Sequence, residues 1–326
     1  ESYGPMFSNH NHDPAICECP NGDMLAIWYS CVEEKGRELA VVASRLRAGS
    51  TEWEPASTFW DAPDRNNHAP ALFSDGSRMF HFNGLSAAAT WGPLALVVRT
   101  SDNSGATWSK ARIIAPEHGP RHMPVASAFS LADGTIVLPC DAASVGAGGT
   151  ALWLSEDRGE TWHDAGGTIA GIHGSAAELS DGSLLAFGRG DEIDGQMPMS
   201  VSRDRGATWE YSPSIFPPLW SGQRLVLRSI AGECDTGSDP LMFISFSNEP
   251  NEQQSTFEVV GTNNVRIPAK GMFCALSFDQ GETWPYRRHV SDDFPERGIE
   301  TMDGRPARIG PTIAEYMGYL SAWQAT

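Results

Sequence analysis

Hydrophobic positions in this chain come in short runs rich in β-branched and aromatic residues, interrupted by Gly, Asn, Asp and Pro, without the three-and-four spacing of amphipathic helices. The runs MLAIWYS, RMFHFNG, TIVLPCD and SLLAFGR each follow an Asx-Gly pair: Asn21-Gly22, Asp75-Gly76, Asp133-Gly134 and Asp181-Gly182. Asx-Gly between two β-rich runs is the strongest short-range hairpin signal. Ahead of each pair lies another run that opens with a similar word: HNHDPAI, NNHAPAL, RHMPVAS and GIHGSAAEL. The pattern predicts repeated units of strand, Asx-Gly turn, strand, loop and strand.

A second repeat completes the unit. SDNSGATW (101–108), SEDRGETW (155–162), SRDRGATW (202–209) and SFDQGETW (277–284) share Ser-x-Asp-x-Gly-x-Thr-Trp, with Asn103 in place of the aspartate in the first box. Steps of 54, 47 and 75 residues separate the leading serines at 101, 155, 202 and 277, which is the spacing of four-stranded propeller blades. Each box reads as an Asp-bearing turn before the outermost strand, with its tryptophan, Trp209 for instance, packed between neighbouring sheets. Six units are expected, starting near His12, His68, His122, His173, Gln223 and Pro311, in one domain over residues 1–326. The first has only the degenerate STEWEPAS where a box belongs, and the fifth carries an insert near 247–270. The sixth supplies two strands and stops, so either the N-terminal segment completes it or the natural chain is longer. An open last blade would leave strand edges unpaired.

The boxes resemble the Asp-box (BNR) repeats of the sialidase (neuraminidase) superfamily, and the order of words, turns and boxes carries that resemblance over nearly the whole chain. It implies an all-β, six-bladed propeller of four-stranded antiparallel blades with a saccharide-binding mouth on the axis. Asp boxes also occur in binding proteins, lyases and photosystem assembly factors, so the fold alone does not set the function. Two sialidase features are replaced here. The first blade of a sialidase opens on Phe-Arg-Ile-Pro, whose arginine grips the substrate carboxylate; this chain has NHNHDPAI. Sialidases also pair a tyrosine nucleophile with a glutamate, and alignment puts Gly310 and Pro311 at the tyrosine's position, with Tyr316 and Tyr319 further along.

Antiparallel order separates two ends of every blade. The Asx-Gly turns and Asp boxes fall at one end. At the other, the mouth, fall the starts of first strands (His10, His12, Asp13, His68, Arg121, His122, His173, Gln223, Arg224) and the ends of second strands (Tyr29, Asn83, Asp141, Arg189, Asp191). His12, His68, His122 and His173 are candidates for strand caps, for a general base, or for metal ligands. Asp13 and Asp141 stand out among many acid candidates, which include Asp61 and Asp64. Arg121, Arg189 and Arg224 suit a carboxylate through paired charge-assisted bonds. Tyr29 and Asp191 line the same end, while Trp91, and Trp220 less directly, sit in mouth-side loops where they can stack on a sugar ring.

Composition narrows the partners. With 41 Asp and Glu against 23 Lys and Arg, the net charge of −18 argues against nucleic acid and anionic membrane surfaces. No apolar run is long enough to span a bilayer. Six cysteines lie mostly in strand-like runs and are expected as buried thiols; Cys17-x-Cys19 alone is weak evidence for zinc. The chain starts at Glu1 with neither initiator Met nor signal peptide, so the compartment, extracytoplasmic or cytoplasmic, stays open, as does the choice between monomer and small homo-oligomer. The leading functional expectation is a carbohydrate-active enzyme of sialidase type that cleaves a terminal acidic sugar. The alternatives are a lyase on uronic-acid glycans using histidine in β-elimination, and a non-catalytic glycan-binding propeller. No cofactor is required; a divalent metal on the axis is an open possibility.

Overall fold

A computed structural model describes residues 8, 10–88, 94–116, 123–125, 127–142, 148–220, 222–232, 237, 239–247, 257–261, 264–291, 294–300 and 306–326. Every regular element among them is a strand. The chain divides into two compact units, one formed by residues 1–166 with 321–326 and the other by residues 167–320.

The first unit holds three sheets. The first consists of β1 (His10–Glu18), β2 (Met24–Cys31), β3 (Ala40–Leu46) and β4 (Ser57–Trp60), and the second of β5 (Ala71–Ser74), β6 (Met79–Leu85), β7 (Ala95–Ser101) and β8 (Arg112–Ala115). In the third, the innermost strand is split into β9 (Met123–Pro124) and β10 (Phe129–Ser130). Both pair with β11 (Ile136–Asp141), followed by β12 (Thr150–Ser155) and β13 (His163–Asp164).

The second unit holds β14 (Ile172–Glu178), β15 (Leu184–Arg189), β16 (Pro198–Ser202) and β17 (Glu210–Pro213) in one sheet. Its next sheet starts with β18 (Val226–Ser229) and β19 (Leu241–Phe246). A small hairpin, β20 (Glu258–Val260) and β21 (Arg266–Pro268), then interrupts it before β22 (Met272–Ser277) and β23 (Tyr286–His289) complete it. The insert anticipated near 247–270 is this excursion. A last hairpin joins β24 (Arg297–Glu300) to β25 (Pro306–Ile309).

All strand pairs in these sheets are antiparallel, and their registers set the two ends apart as antiparallel order requires. His12 pairs with Tyr29, Met123 with Asp141 and Ile172 with Arg189, so first-strand starts meet second-strand ends in each sheet. The Asx-Gly turns and boxes lie at the opposite end. In each full Asp box the aspartate ties its own turn: Asp204 accepts from the Thr208 amide (2.8 Å) and hydroxyl (2.6 Å), and Ser202 Oγ accepts from the Gly206 amide (2.8 Å). Asn103 reproduces this by accepting from the Thr107 amide and donating to its hydroxyl, both at 2.9 Å. Trp209 is half-buried and donates its indole N–H to the Gly206 carbonyl (3.2 Å), whereas Trp284 of the last box is 5% exposed in an aromatic core with Phe187, Phe216, Phe243 and Phe273.

Five blade sheets, not six, stand among the described residues: four have four strands, and the third has five because its innermost strand is split in two. The sixth unit expected near Pro311 fails because Gly310 and Ile313 close a tight turn on each other, each amide donating to the other's carbonyl, and residues 314–326 form no strand. Their backbone is used elsewhere. In the second unit the Ala314 amide donates to Lys270 O, and Glu315 O accepts from Met272 N. In the first, Ser321 Oγ accepts from the Ile16 amide (3.2 Å) and Trp323 packs on Phe73.

Neighbouring inner strands run side by side within each unit, β1 beside β5 and β14 beside β18; the Ser175 hydroxyl links the latter pair by donating to Leu227 O and accepting from Leu227 N, both at 3.0 Å.

Candidate active site in residues 167–320

The site grows from a bulge at the start of the innermost strand. In β14 the pairing with β15 slips between Ile172 and Ser175, and His173 sits in the slip at φ 51°. β1 repeats this between His12 and Ala15 with Asp13 at φ 58°, and Ala69 at φ 57° stands just before β5. A positive φ at a non-glycine residue is costly and persists only where its surroundings fix it. Of the histidines expected near strand starts, His12 and His68 each precede the left-handed residue (Asp13 and Ala69), whereas His173 occupies it, and His122 lies outside the described residues. A one-residue offset in a strand redirects the side chain, so these histidines are not equivalent. Gly171 makes the bulge possible, since a Cβ there would collide with the backbone of Gly188 and Arg189.

From β15, Arg189 Nη1 donates to the Gln223 carbonyl (3.0 Å) and to the hydroxyl oxygen of Tyr319 (3.1 Å). Its Nε and Nη2 make no hydrogen bond among the described residues, and the side chain is half-buried, which leaves one edge of the guanidinium to a ligand. Arg224 is 1% exposed, and its guanidinium carbon lies 4.6 Å from the centre of the Tyr319 ring. The same hydroxyl of Tyr319 lies 3.0 Å from Nε2 of His173, with the two rings edge to face at 5.1 Å.

A strap with no strand of its own holds Tyr319 there. Arg224 N donates to Gly318 O (3.1 Å), Gly318 N to Gly222 O (2.8 Å), and Gln223 Nε2 to Tyr316 O (2.8 Å). Glu315 Oε1 caps the strap by accepting from the amides of Tyr316 (3.0 Å) and Met317 (3.2 Å). The result is a phenol with two guanidiniums and an imidazole against it, and a guanidinium fork is a group suited to pairing with a carboxylate.

The first unit gathers a different set. The Tyr29 ring lies 6.0 Å from His10, 5.6 Å from His12 and 5.2 Å from His68, and its hydroxyl donates to Glu34 Oε1 (2.8 Å). Burial, and then the negative charges of Asp13 and Glu34, hold Tyr29 far above the usual phenol range, so it stays protonated and polar rather than reactive. Asp13 and Asp141 are buried, Asp141 at the end of β11. Asn66 Nδ2 donates to the carbonyls of Glu34 and Gly36 (2.8 Å each) and pins the loop that carries Glu34.

Of the residues singled out in sequence, His173, Arg189, Gln223 and Arg224 are brought together, and His10, His12, Tyr29 and His68 form the second group. Asp191 and Trp220 are exposed; the Trp220 backbone exchanges hydrogen bonds with Gln223, its amide donating to Oε1 (3.1 Å) and its carbonyl accepting from the Gln223 amide (3.3 Å), while its ring stays at the surface. Arg121, His122 and Trp91 lie outside the described residues. Among the described residues no three His, Cys, Asp or Glu side chains stand where they could hold one metal ion. Tyr319 is the member of this cluster that sequence reasoning passed over, because alignment looked for a tyrosine at a strand start and this one stands in a strap.

Solved structures show the fold of this chain by likeness. It is similar to the Hadza microbial sialidase Hz136 at 18% identity and a TM-score of 0.64, over 88% of this chain and 59% of that one. Similarity to the NanB sialidase of Streptococcus pneumoniae is at 12% identity and a TM-score of 0.64, over 90% and 63% of the two chains. The intramolecular trans-sialidase from Ruminococcus gnavus, solved with oseltamivir carboxylate, matches at 13% identity and a TM-score of 0.63, over 97% and 88%. The chain thus spans about three-fifths of the first two proteins' length, and the shared architecture is an all-β propeller. Comparison with the curated proteins finds no match. The repeat signature decides the family: the BNR repeat-like domain model matches residues 22–293, and the chain belongs to that family as a sialidase-like BNR propeller protein.

Proposed function

We propose that this protein is a carbohydrate-active enzyme that cleaves the glycosidic bond of a terminal acidic sugar, as a sialidase-like exo-glycosidase. The observation that carries the reading is the convergence of Arg189 and Arg224 on Tyr319, 3.1 Å from its hydroxyl and 4.6 Å from its ring centre. In this reading the open Nε–Nη2 edge of Arg189 takes the sugar carboxylate. Arg224, covered by the tyrosine ring, supplies positive charge from behind, and Tyr319 is the nucleophile that the developing positive charge at the anomeric carbon meets. Sialidase and trans-sialidase folds among the structural neighbours support a sugar ligand.

The test is a panel of acidic oligosaccharides and aryl glycosides of nonulosonic and hexuronic acids, read both by release of reducing sugar or aryl alcohol and by ultraviolet absorbance. Release without a new absorbance supports hydrolysis. Binding without turnover across the panel leaves a glycan-binding propeller instead.

A second reading, a lyase on uronic-acid glycans, draws on one observation: the side chain bonded to Tyr319 is an imidazole, which serves proton abstraction next to an arginine-neutralised carboxylate. A product with the absorbance of an unsaturated uronate would move the assignment there.

A further inference from the structure

We infer that the acidic sugar is a hexuronic acid, whose carboxylate stands on C5, and not a nonulosonic acid, whose carboxylate stands on the anomeric carbon itself. The inference rests on the reading of the cluster as a glycosidase site with Tyr319 as nucleophile, and it names the substrate class of that site. It follows from the directions in which the two sides of the Arg189 guanidinium point.

A guanidinium is planar, and its N–H groups leave it in fixed directions. Nη1 carries two hydrogens, and two acceptors stand at it: the Gln223 carbonyl at 3.0 Å and the Tyr319 hydroxyl at 3.1 Å. Both lie on the Nη1 side, so the edge shared by Nε and Nη2 faces the other way. Those two nitrogens have no hydrogen-bond partner among the described residues, and both reach solvent. Arg224 offers no comparable edge, because it is 1% exposed with the Tyr319 ring centre 4.6 Å from its guanidinium carbon. The carboxylate is therefore gripped on the far side of Arg189 from the phenol.

Distances then decide between the two kinds of acid. A carboxylate that accepts from both Nε and Nη2 has its carbon about 4 Å from the guanidinium carbon, directly opposite Nη1. Tyr319 Oη, 3.1 Å from Nη1, is then about 6–7 Å from that carboxylate carbon. A nucleophile starts its attack from about 3–3.5 Å. In a nonulosonic acid the carboxylate carbon is bonded to the carbon under attack, about 1.5 Å away, so the phenol-to-carboxylate span is at most about 5 Å. In a hexuronic acid the ring oxygen and C5 intervene, the anomeric and carboxylate carbons are about 3.7 Å apart, and the span reaches about 7 Å. The hexuronate can keep its two-point grip while the phenol attacks. The nonulosonate must give up that grip to bring its anomeric carbon to Tyr319.

The test uses 4-nitrophenyl glycosides of three kinds: hexuronic acids of gluco, galacto, manno and ido configuration in both anomers, the matching neutral hexoses, and N-acetylneuraminic acid. For at least one hexuronide, kcat/KM is expected to exceed that of its neutral hexoside and of the neuraminide by about 100-fold or more. A neuraminide turned over as well as the best hexuronide overturns the inference and leaves the acidic-sugar glycosidase standing. A neutral hexoside as good as its hexuronide overturns it too, since the carboxylate is then not recognised. Sulfur-linked analogues, which resist cleavage, separate the sugar class from the chemistry. Titrated calorimetrically into the unaltered protein, the best thiohexuronide should bind about 10-fold or more tightly than the thioneuraminide. If nothing is cleaved but that order of affinity holds, the proposed function falls and the ligand class stands. If the affinities are equal or reversed, or neither compound binds, the inference falls whatever the kinetics show.

Discussion

The hydroxyl of Tyr319 meets Nε2 of His173 across 146 residues of chain, and Arg189 donates to that hydroxyl from the end of the strand that pairs with His173's own. One bulged hairpin therefore supplies two of the three groups around the phenol. The strap supplies the phenol itself.

Arg189 is expected to matter by its shape more than by its charge. Arg189→Lys keeps a cation but removes the planar Nε–Nη2 edge that pairs with a carboxylate. The specificity constant for an acidic glycoside should fall about 10- to 100-fold, mainly through KM, with little change for a glycoside whose carboxylate is esterified. Steady-state kinetics on the acid and its methyl ester make the comparison; an equal fall on both would show that Arg189 only supports the fold.

Sequence patterning located much of this architecture. The unit starts near His12, His68, His173 and Gln223 each lie within a few residues of an inner strand, because Asx-Gly turns and Asp boxes are local chemistry read directly from residue types; the start near His122 lies outside the described residues. What escaped is non-local. Tyr319 is placed by backbone bonds from residues 222–224, about a hundred residues away, and no periodicity reports such a tether. The alternation in IGPTIAEYMGYL looked like two strands, yet Gly310 and Ile313 bond to each other and end the pattern at once. The one-residue offset of His173 from His12 and His68 likewise depends on where a bulge falls, which the words HNHDPAI and GIHGSAAEL do not reveal.

The Asp boxes and the turn at Asp23 should make the protein acid-sensitive. Burial pushes the Asp23 carboxyl up, but the Ala48 amide, Asn21 and Arg45 outweigh it and hold it at about 2. Asp157 is brought to about 2 by the hydroxyl and amide of Thr161. Carboxyls depressed on folding stabilise the native state above their unfolded value near 3.8, and that stabilisation is lost as pH falls from about 4 toward 2. Urea midpoints measured across that window should drop steeply. Asp23→Asn should flatten the curve and cost about 3 kcal/mol at neutral pH, because Arg45, 3.0 Å from Asp23 and mostly buried, loses its counter-ion. An unchanged slope would mean that Asp23 does not contribute.

A second pH window belongs to His289. Burial first, and then the Lys270 charge, lower its imidazole to about 4, and Nε2 accepts the Lys270 amide at 2.8 Å. The folded state therefore binds fewer protons than the unfolded chain between about 4 and 6.5, so stability declines as pH falls through that range. His81, fully enclosed beside the Arg99 guanidinium, acts in the same direction. His289→Gln, whose side-chain carbonyl can still accept the Lys270 amide, should reduce the slope of unfolding free energy against pH by about one proton. Equal slopes in both proteins would exclude His289 as the source.

The box tryptophans should separate stability from chemistry. Trp284 is 5% exposed with Phe216 at 5.2 Å and Phe243 at 6.0 Å, so Trp284→Ala should cost about 3–5 kcal/mol. Trp209 is only half-buried, and its removal should cost less, about 1–3 kcal/mol. Neither change should move KM in protein that remains folded. Denaturant unfolding paired with kinetics below the transition checks both parts, and a selective loss of binding in Trp209→Ala would place the boxes at the site after all.

Gly271 offers a test of the strap at a distance from any reacting group. Its φ is 87°, and a Cβ there would strike the Ala314 carbonyl, just where Ala314 N bonds to Lys270 O and Glu315 O accepts from Met272 N. Gly271→Ala must therefore either bend the start of β22 or push residues 314–315 outward, and the strap is the softer of the two because it lies in no sheet. Since Tyr319 follows five residues later, an outward shift draws the phenol from His173 and Arg189. The expected result is a loss of stability of about 1–3 kcal/mol together with a fall in kcat of about 10-fold or more, a misplacement effect. Pairing Gly271→Ala with His173→Asn decides the matter. If Gly271 acts through the Tyr319–His173 contact, the double variant is no slower than His173→Asn alone. If the two losses multiply, Gly271 supports the fold and not the pair.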